Sequence, residues 1–122
     1  MTNRSKMAVV VFLSAAMVGG AQVARADHFT GSCGSELNAV EAAIESGVFL
    51  GNNATTDESN LLAKLEAADA KILLGKLSDA VDKLQDISDR ATALADAPKP
   101  KLEDATGING TVVDAIACVG AL

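Results

Sequence analysis

Hydrophobic positions fall at helical spacing over most of the chain. Between Asp57 and Leu73, the residues Leu61, Leu62, Leu65, Ala68, Ile72 and Leu73 recur at steps of three and four, which is one face of a helix. A second stripe follows at Leu77, Ala80, Val81, Leu84, Ile87, Ala91 and Leu94. Gly75 lies between them and is the natural stop, since the residue past a helix C-terminus commonly adopts a left-handed conformation that glycine reaches cheaply. The stretch from Asp57 to Ala95 therefore predicts an antiparallel helical hairpin. Thr55-Thr56-Asp57-Glu58 has the spacing of a capping box at its start. Ala97-Pro98-Lys99-Pro100 ends it, because a residue before proline is pushed out of the helical region. Asp79 with Lys83 and Asp86 with Arg90 are acid-then-base pairs four residues apart, each worth a few tenths of a kcal/mol on an exposed face.

A lone hairpin leaves half of its apolar seam wet, so flanking segments have to cover it. Upstream, Ser35 to Gly47 reads as a short helix with Ser35 as N-cap and Leu37, Val40 and Ile44 on its inner face. Glu41 and Glu45 are assigned to its outer, solvated face. Val48-Phe49-Leu50 then forms an apolar plug, and 51–55 a loop by composition. Downstream, Leu102, Ala105, Ile108, Val112, Ile116 and Val119 keep helical spacing, but Gly107 and Gly110 each cost about 1 kcal/mol in a helix interior. The expectation is a broken helix, with a turn from Leu102 and a main helix from about Thr111 to Val119. The fold class is all-α: a small up-and-down bundle of three to four helices.

The hairpin residues Leu61-Leu62-Ala63-Lys64-Leu65-Glu66-Ala67-Ala68, then Gly75, then Ala80-Val81-Asp82-Lys83-Leu84, resemble the FIMAH domain. That helical module occurs at the C-terminus of many secreted bacterial proteins. The resemblance covers about residues 57–122 and departs from the family at Ile87 and Ala91, where the family has an aromatic residue and a valine. It implies a helical bundle and an exported address, and it brings no catalytic residue with it.

Residues 1–26 have the order of a secretory signal peptide: Arg4 and Lys6, an apolar stretch from Met7 to Val18, then Ala24-Arg25-Ala26 as a cleavage site. The apolar stretch is short of the roughly 20 residues that span a bilayer. Cleavage after Ala26 leaves 96 of the 122 residues, an N-terminal segment 27–34 and one domain over 35–122. Three of the 10 basic residues (Arg4, Lys6 and Arg25) and none of the 16 acids lie in the leader, so the remainder carries 7 bases and 16 acids, net −9. Such a charge argues against nucleic acid and anionic membrane, which call for Lys/Arg clusters.

Cys33 and Cys118 are the two cysteines. In an exported chain an even count reads as a disulfide, and closing this 85-residue loop is worth about 4 kcal/mol in the chain-entropy account. No C-x-x-C spacing points to redox work. His28 is the single histidine, so a Ser-His-Asp triad within the folded core is excluded. With Asp27 it offers at most weak copper binding on a loose tail. Asp79, Asp82, Asp86 and Asp89 form a carboxylate row read as solvated surface, because calcium loops draw oxygens from a tight turn rather than one helix face. Asn53-Ala54-Thr55 and Asn109-Gly110-Thr111 match the glycosylation sequon, a short and common pattern. No phosphate-binding glycine loop, metal-ligand cluster, tryptophan or tyrosine is present in the sequence. The expected function is an exported helical binding or structural module without catalytic activity or cofactor, working with a protein partner in the bacterial periplasm or outside the cell. The alternative is a carrier of a small apolar ligand held between the hairpin and the final segment.

Overall fold

A computed structural model describes residues 28–122; the signal peptide expected over 1–26 lies outside the described residues. Four helices follow in order: α1 (Gly34–Ser46), α2 (Ala54–Leu73), α3 (Leu77–Asp96) and α4 (Thr106–Gly120). Each packs on its neighbour in sequence, and α4 returns to pack on α1, so the four close a ring around one core. That is the up-and-down all-α bundle expected from the hydrophobic spacing. The core runs from Phe29 to Val119 and takes Leu37, Val40 and Ile44 from α1; Leu61, Leu65, Ala68 and Ile72 from α2; Ala80, Leu84, Ile87, Ala91 and Leu94 from α3; and Ile108, Val112, Ala115 and Val119 from α4. Each set steps by three or four, as a helix must to present one face.

The hairpin turns where glycine allows it. Gly75 has φ +74°, its N–H donates to the Ile72 carbonyl at 3.0 Å, and the Lys76 N–H donates to the Lys71 carbonyl at 2.9 Å. These two bonds are the Schellman pattern, which satisfies carbonyls that the end of a helix leaves unpaired. The same turn lifts Leu73 out of the apolar face assigned to it: Leu73 and Leu74 are 69% and 67% exposed.

Several local expectations are corrected. The capping box does not form, because α2 begins three residues before Asp57, and its N-cap, Asn53, makes no side-chain capping bond. Ser35 is not the N-cap of α1. Cys33 holds that position in a left-handed conformation, φ 60° and ψ 22°, which costs a non-glycine residue about 1–2 kcal/mol. The plug is a strand fragment. Leu50 N–H donates to Lys101 O and Glu103 N–H to Val48 O, both at 2.9 Å, so Phe49 pairs with Leu102 in an isolated antiparallel bridge. Side chains alternate across such a bridge: Phe49 packs on the core, while Val48 and Leu50 are 51% and 38% exposed.

The final segment is one helix from Thr106, not a turn followed by a helix from Thr111. Ala105 is its N-cap, without a side-chain capping bond, and Asp104 just before it accepts from the Thr106 N–H at 2.9 Å. The bonds from the Thr106 backbone and hydroxyl hold its carboxyl below the usual range. Thr111 instead donates back to the Gly107 and Ile108 carbonyls. Asn109 spans to α3, donating to Thr92 Oγ1 at 3.0 Å and accepting from Ser88 at 2.8 Å. That amide is a stitch between helices rather than a free sequon acceptor.

The glycines separate into two kinds. A Cβ at Gly34 would fall on the Phe29 carbonyl oxygen, whereas a Cβ at Gly110 meets open space. Gly34→Ala should destabilise by about 1–3 kcal/mol, the usual cost of overpacking. Gly110→Ala should stabilise by up to about 1 kcal/mol from helix propensity. Thermal melts of both variants check the pair, with about 4–8 °C expected per kcal/mol for a domain of this size.

Candidate functional site

The residues that bear chemistry gather where the chain enters α1. Cys33 and Cys118 form a disulfide, with Cα atoms 5.9 Å apart, so the last helix is tied to the start of the first. Just before it, Phe29 is buried. The Asn38 side chain grips its backbone at both ends, accepting from the Phe29 N–H at 2.9 Å and donating to the Phe29 carbonyl at 3.0 Å. This two-point grip satisfies both polar groups of a buried residue, as burial requires.

His28 is therefore held in place, which corrects the expectation of a loose tail. Its Nδ1 lies 2.6 Å from Glu41 Oε2 and its Nε2 3.1 Å from Glu66 Oε2. Glu41 is the second correction: it was assigned to a solvated outer face, but its side chain is only 5% exposed, while Glu45 is half-buried. Spacing on α1 placed Glu41 one position from Val40 at the edge of the inner face. Only the chain passing over it as Phe29 and His28 decides that it is covered. The missed signal was the coincidence of the single histidine with a carboxylate at the rim of a helix face. Imidazole and two carboxylates, from the entry segment, α1 and α2, bring their nearest ligating atoms within 4.8 Å of one another. Asp27, the other half of the copper reading, lies outside the described residues.

A second buried carboxylate, Asp57, sits at the start of α2, 7% exposed, with Arg90 Nη2 at 3.6 Å from its Oδ1. Arg90 thus reaches across to α2, and its expected partner Asp86 on α3 is not the carboxylate it pairs with. Asp79 likewise meets Lys71 of α2, at 3.9 Å, rather than Lys83. The aspartate row on α3 faces solvent, and Asp89 accepts from Gln85 at 3.1 Å.

A second cluster, Cys33, Glu36 and Cys118, also has ligand spacing, but both sulfurs are spent in the disulfide. Beside it an open depression between α1 and α4 is lined by Ser35, Glu36, Ala39, Asp114, Ala117 and Cys118. The seam between hairpin and final helix is occupied by Leu84, Ile87, Ile108 and Val112, all sealed from solvent. Among the described residues, no helix is long and apolar enough to cross a membrane. No family model, curated protein or solved structure matches the chain.

Two stability predictions follow from these contacts. Reducing the protein, or replacing Cys33 and Cys118 by serine together, should cost about 4 kcal/mol by restoring the freedom of the unfolded loop, read as a fall in the urea midpoint. Arg90→Ala should lower the melting temperature because it leaves the Asp57 carboxylate buried without its counter-charge. Asp86→Ala, at an exposed position, should leave the melt within the small range of ordinary surface changes.

Proposed function

We propose that this chain is a small exported helical module that works by binding or by structural support, without catalysing a reaction, outside the bacterial cytoplasm. The observation that carries the reading is the disulfide that closes the ring of helices from the mouth of α1 to the end of α4. Such bonds persist in oxidising compartments, and this one fixes the domain end to end as a rigid block. The signal-like leader and the resemblance of residues 57–122 to FIMAH domains of secreted proteins support the same address. The acidic surface suits a protein that stays dissolved or meets a basic partner.

The sealed seam favours this reading over a carrier. A carrier needs a chamber that buries most of its ligand, and the space between the hairpin and α4 is filled by Leu84, Ile87, Ile108 and Val112. The partner is a protein of the envelope or of the medium.

The test is cross-linking of the native protein in intact cells, followed by mass spectrometry of the envelope and secreted fractions. A discrete protein cross-linked reproducibly through one face of the bundle is the expected result. Cross-links confined to the chain itself, with an apolar ligand retained in native mass spectra, would move the function to a carrier.

A further inference from the structure

We propose that His28 and Glu66 bind a divalent transition cation, with Zn²⁺ as the representative ion, and that buried Glu41 orients the histidine for it. The argument starts from hydrogen-bond inventory. A neutral imidazole has one N–H and one lone pair. The Nδ1 position lies 2.6 Å from Glu41 Oε2, and this is the contact that a ring proton on Nδ1, donated to the carboxylate, would make. Nε2 is then a lone pair, and it faces the Glu66 carboxylate at 3.1 Å. Two acceptors at that distance repel, and a second proton or a metal ion between them relieves the repulsion.

The spacing fits a metal. With bonds of roughly 2.0–2.2 Å from zinc to nitrogen and oxygen, two ligands of a tetrahedron lie about 3.3 Å apart, close to the separation already present. The arrangement behind the ring is also the one metal-binding histidines use, in which the far nitrogen donates to a carboxylate that fixes tautomer and orientation. Glu41, only 5% exposed, is fixed in that position, whereas Glu66, at 55%, is open to an ion arriving from solvent. The backbone that carries the ring is anchored, because the next residue, Phe29, is buried and gripped by Asn38. One imidazole and one carboxylate suit zinc and its neighbours in the first transition row better than calcium, which takes six or more oxygens. Two coordination positions remain for water or for a ligand brought by another molecule. The site uses no terminal amine and is independent of the binding-module reading.

The experiment is calorimetric titration of the untagged protein with ZnCl₂ at neutral pH, paired with ¹⁵N NMR of the imidazole. With a single histidine in the chain, the spectrum has one assignment. The expected result is one zinc per chain, a metal-shifted Nε2 and an Nδ1 that stays protonated. Glu66→Gln, an exposed change that leaves the fold intact, should abolish binding, as should His28→Ala. Glu41→Gln should weaken it about 10- to 100-fold, the usual effect of altering the carboxylate behind a ligand histidine. No binding, zinc taken up equally by Glu66→Gln, or coordination through Nδ1 would each overturn the proposal. Undiminished uptake by His28→Ala would assign the ion to the surface carboxylates instead and overturn it as well.

Discussion

The bond between Cys33 and Cys118 is the constraint on which the other contacts rest. α1 has only 13 residues, too few to hold a helix in water without tertiary support. It also begins at a cysteine in a left-handed conformation that costs energy. The disulfide fixes that cysteine against the end of α4. With it in place, Gly34 lies under the Phe29 carbonyl, Phe29 enters the core, and His28 is laid against Glu41 of α1. Glu41 is buried as a consequence of this path, and His28 arrives at the carboxylates as another. A covalent tie at one end of the bundle thus determines where the only imidazole goes.

The opposite end is closed by much weaker means. Two backbone hydrogen bonds join 48–50 to 101–103, placing Phe49 inward and Leu102 in the core. An isolated two-bond bridge has little stability of its own, so it survives because Leu102 is buried and Phe49 packs against the core. The exposed Val48 and Leu50 are the other half of that alternation and follow from the geometry of an extended strand. A plug of three consecutive apolar residues is not available to such a backbone.

Legibility in the sequence followed the range of the interactions. The hairpin was readable because its information is local: the leucine stripe, the glycine at position 75 and the two prolines each act within a turn or two. The pairing of Cys33 with Cys118 was readable because, once the leader-like start raises the expectation of export, two cysteines leave one choice. What was not readable came from partners distant in sequence. Arg90 was matched to Asp86 by spacing along one helix, yet it answers Asp57 on another, because a buried carboxylate gains far more from a counter-charge than an exposed one does. Glu41 looked solvated because nothing in α1 itself covers it. The continuity of α4 was missed because helix propensity counted Gly107 and Gly110 as breaks, while the bond from the Thr106 N–H to Asp104 and the burial of Ile108 and Val112 outweigh a penalty of about 1 kcal/mol each.

Four polar residues at the rim of the bundle share one feature: each acts between elements. Asn38 joins α1 to the entry segment, Asn109 joins α4 to α3, Arg90 joins α3 to α2, and His28 joins the entry segment to both α1 and α2. Leucine and alanine stripes specify that helices pack, but many rotations and slides of an alanine-rich interface have similar energy. A hydrogen bond with defined donors and acceptors removes most of those alternatives, because a misplaced register leaves a buried polar group unsatisfied at a cost of about 1–3 kcal/mol. In a domain this small, with two phenylalanines and no larger aromatic among the described residues, these cross-element contacts and the disulfide supply the register that bulky core side chains provide elsewhere.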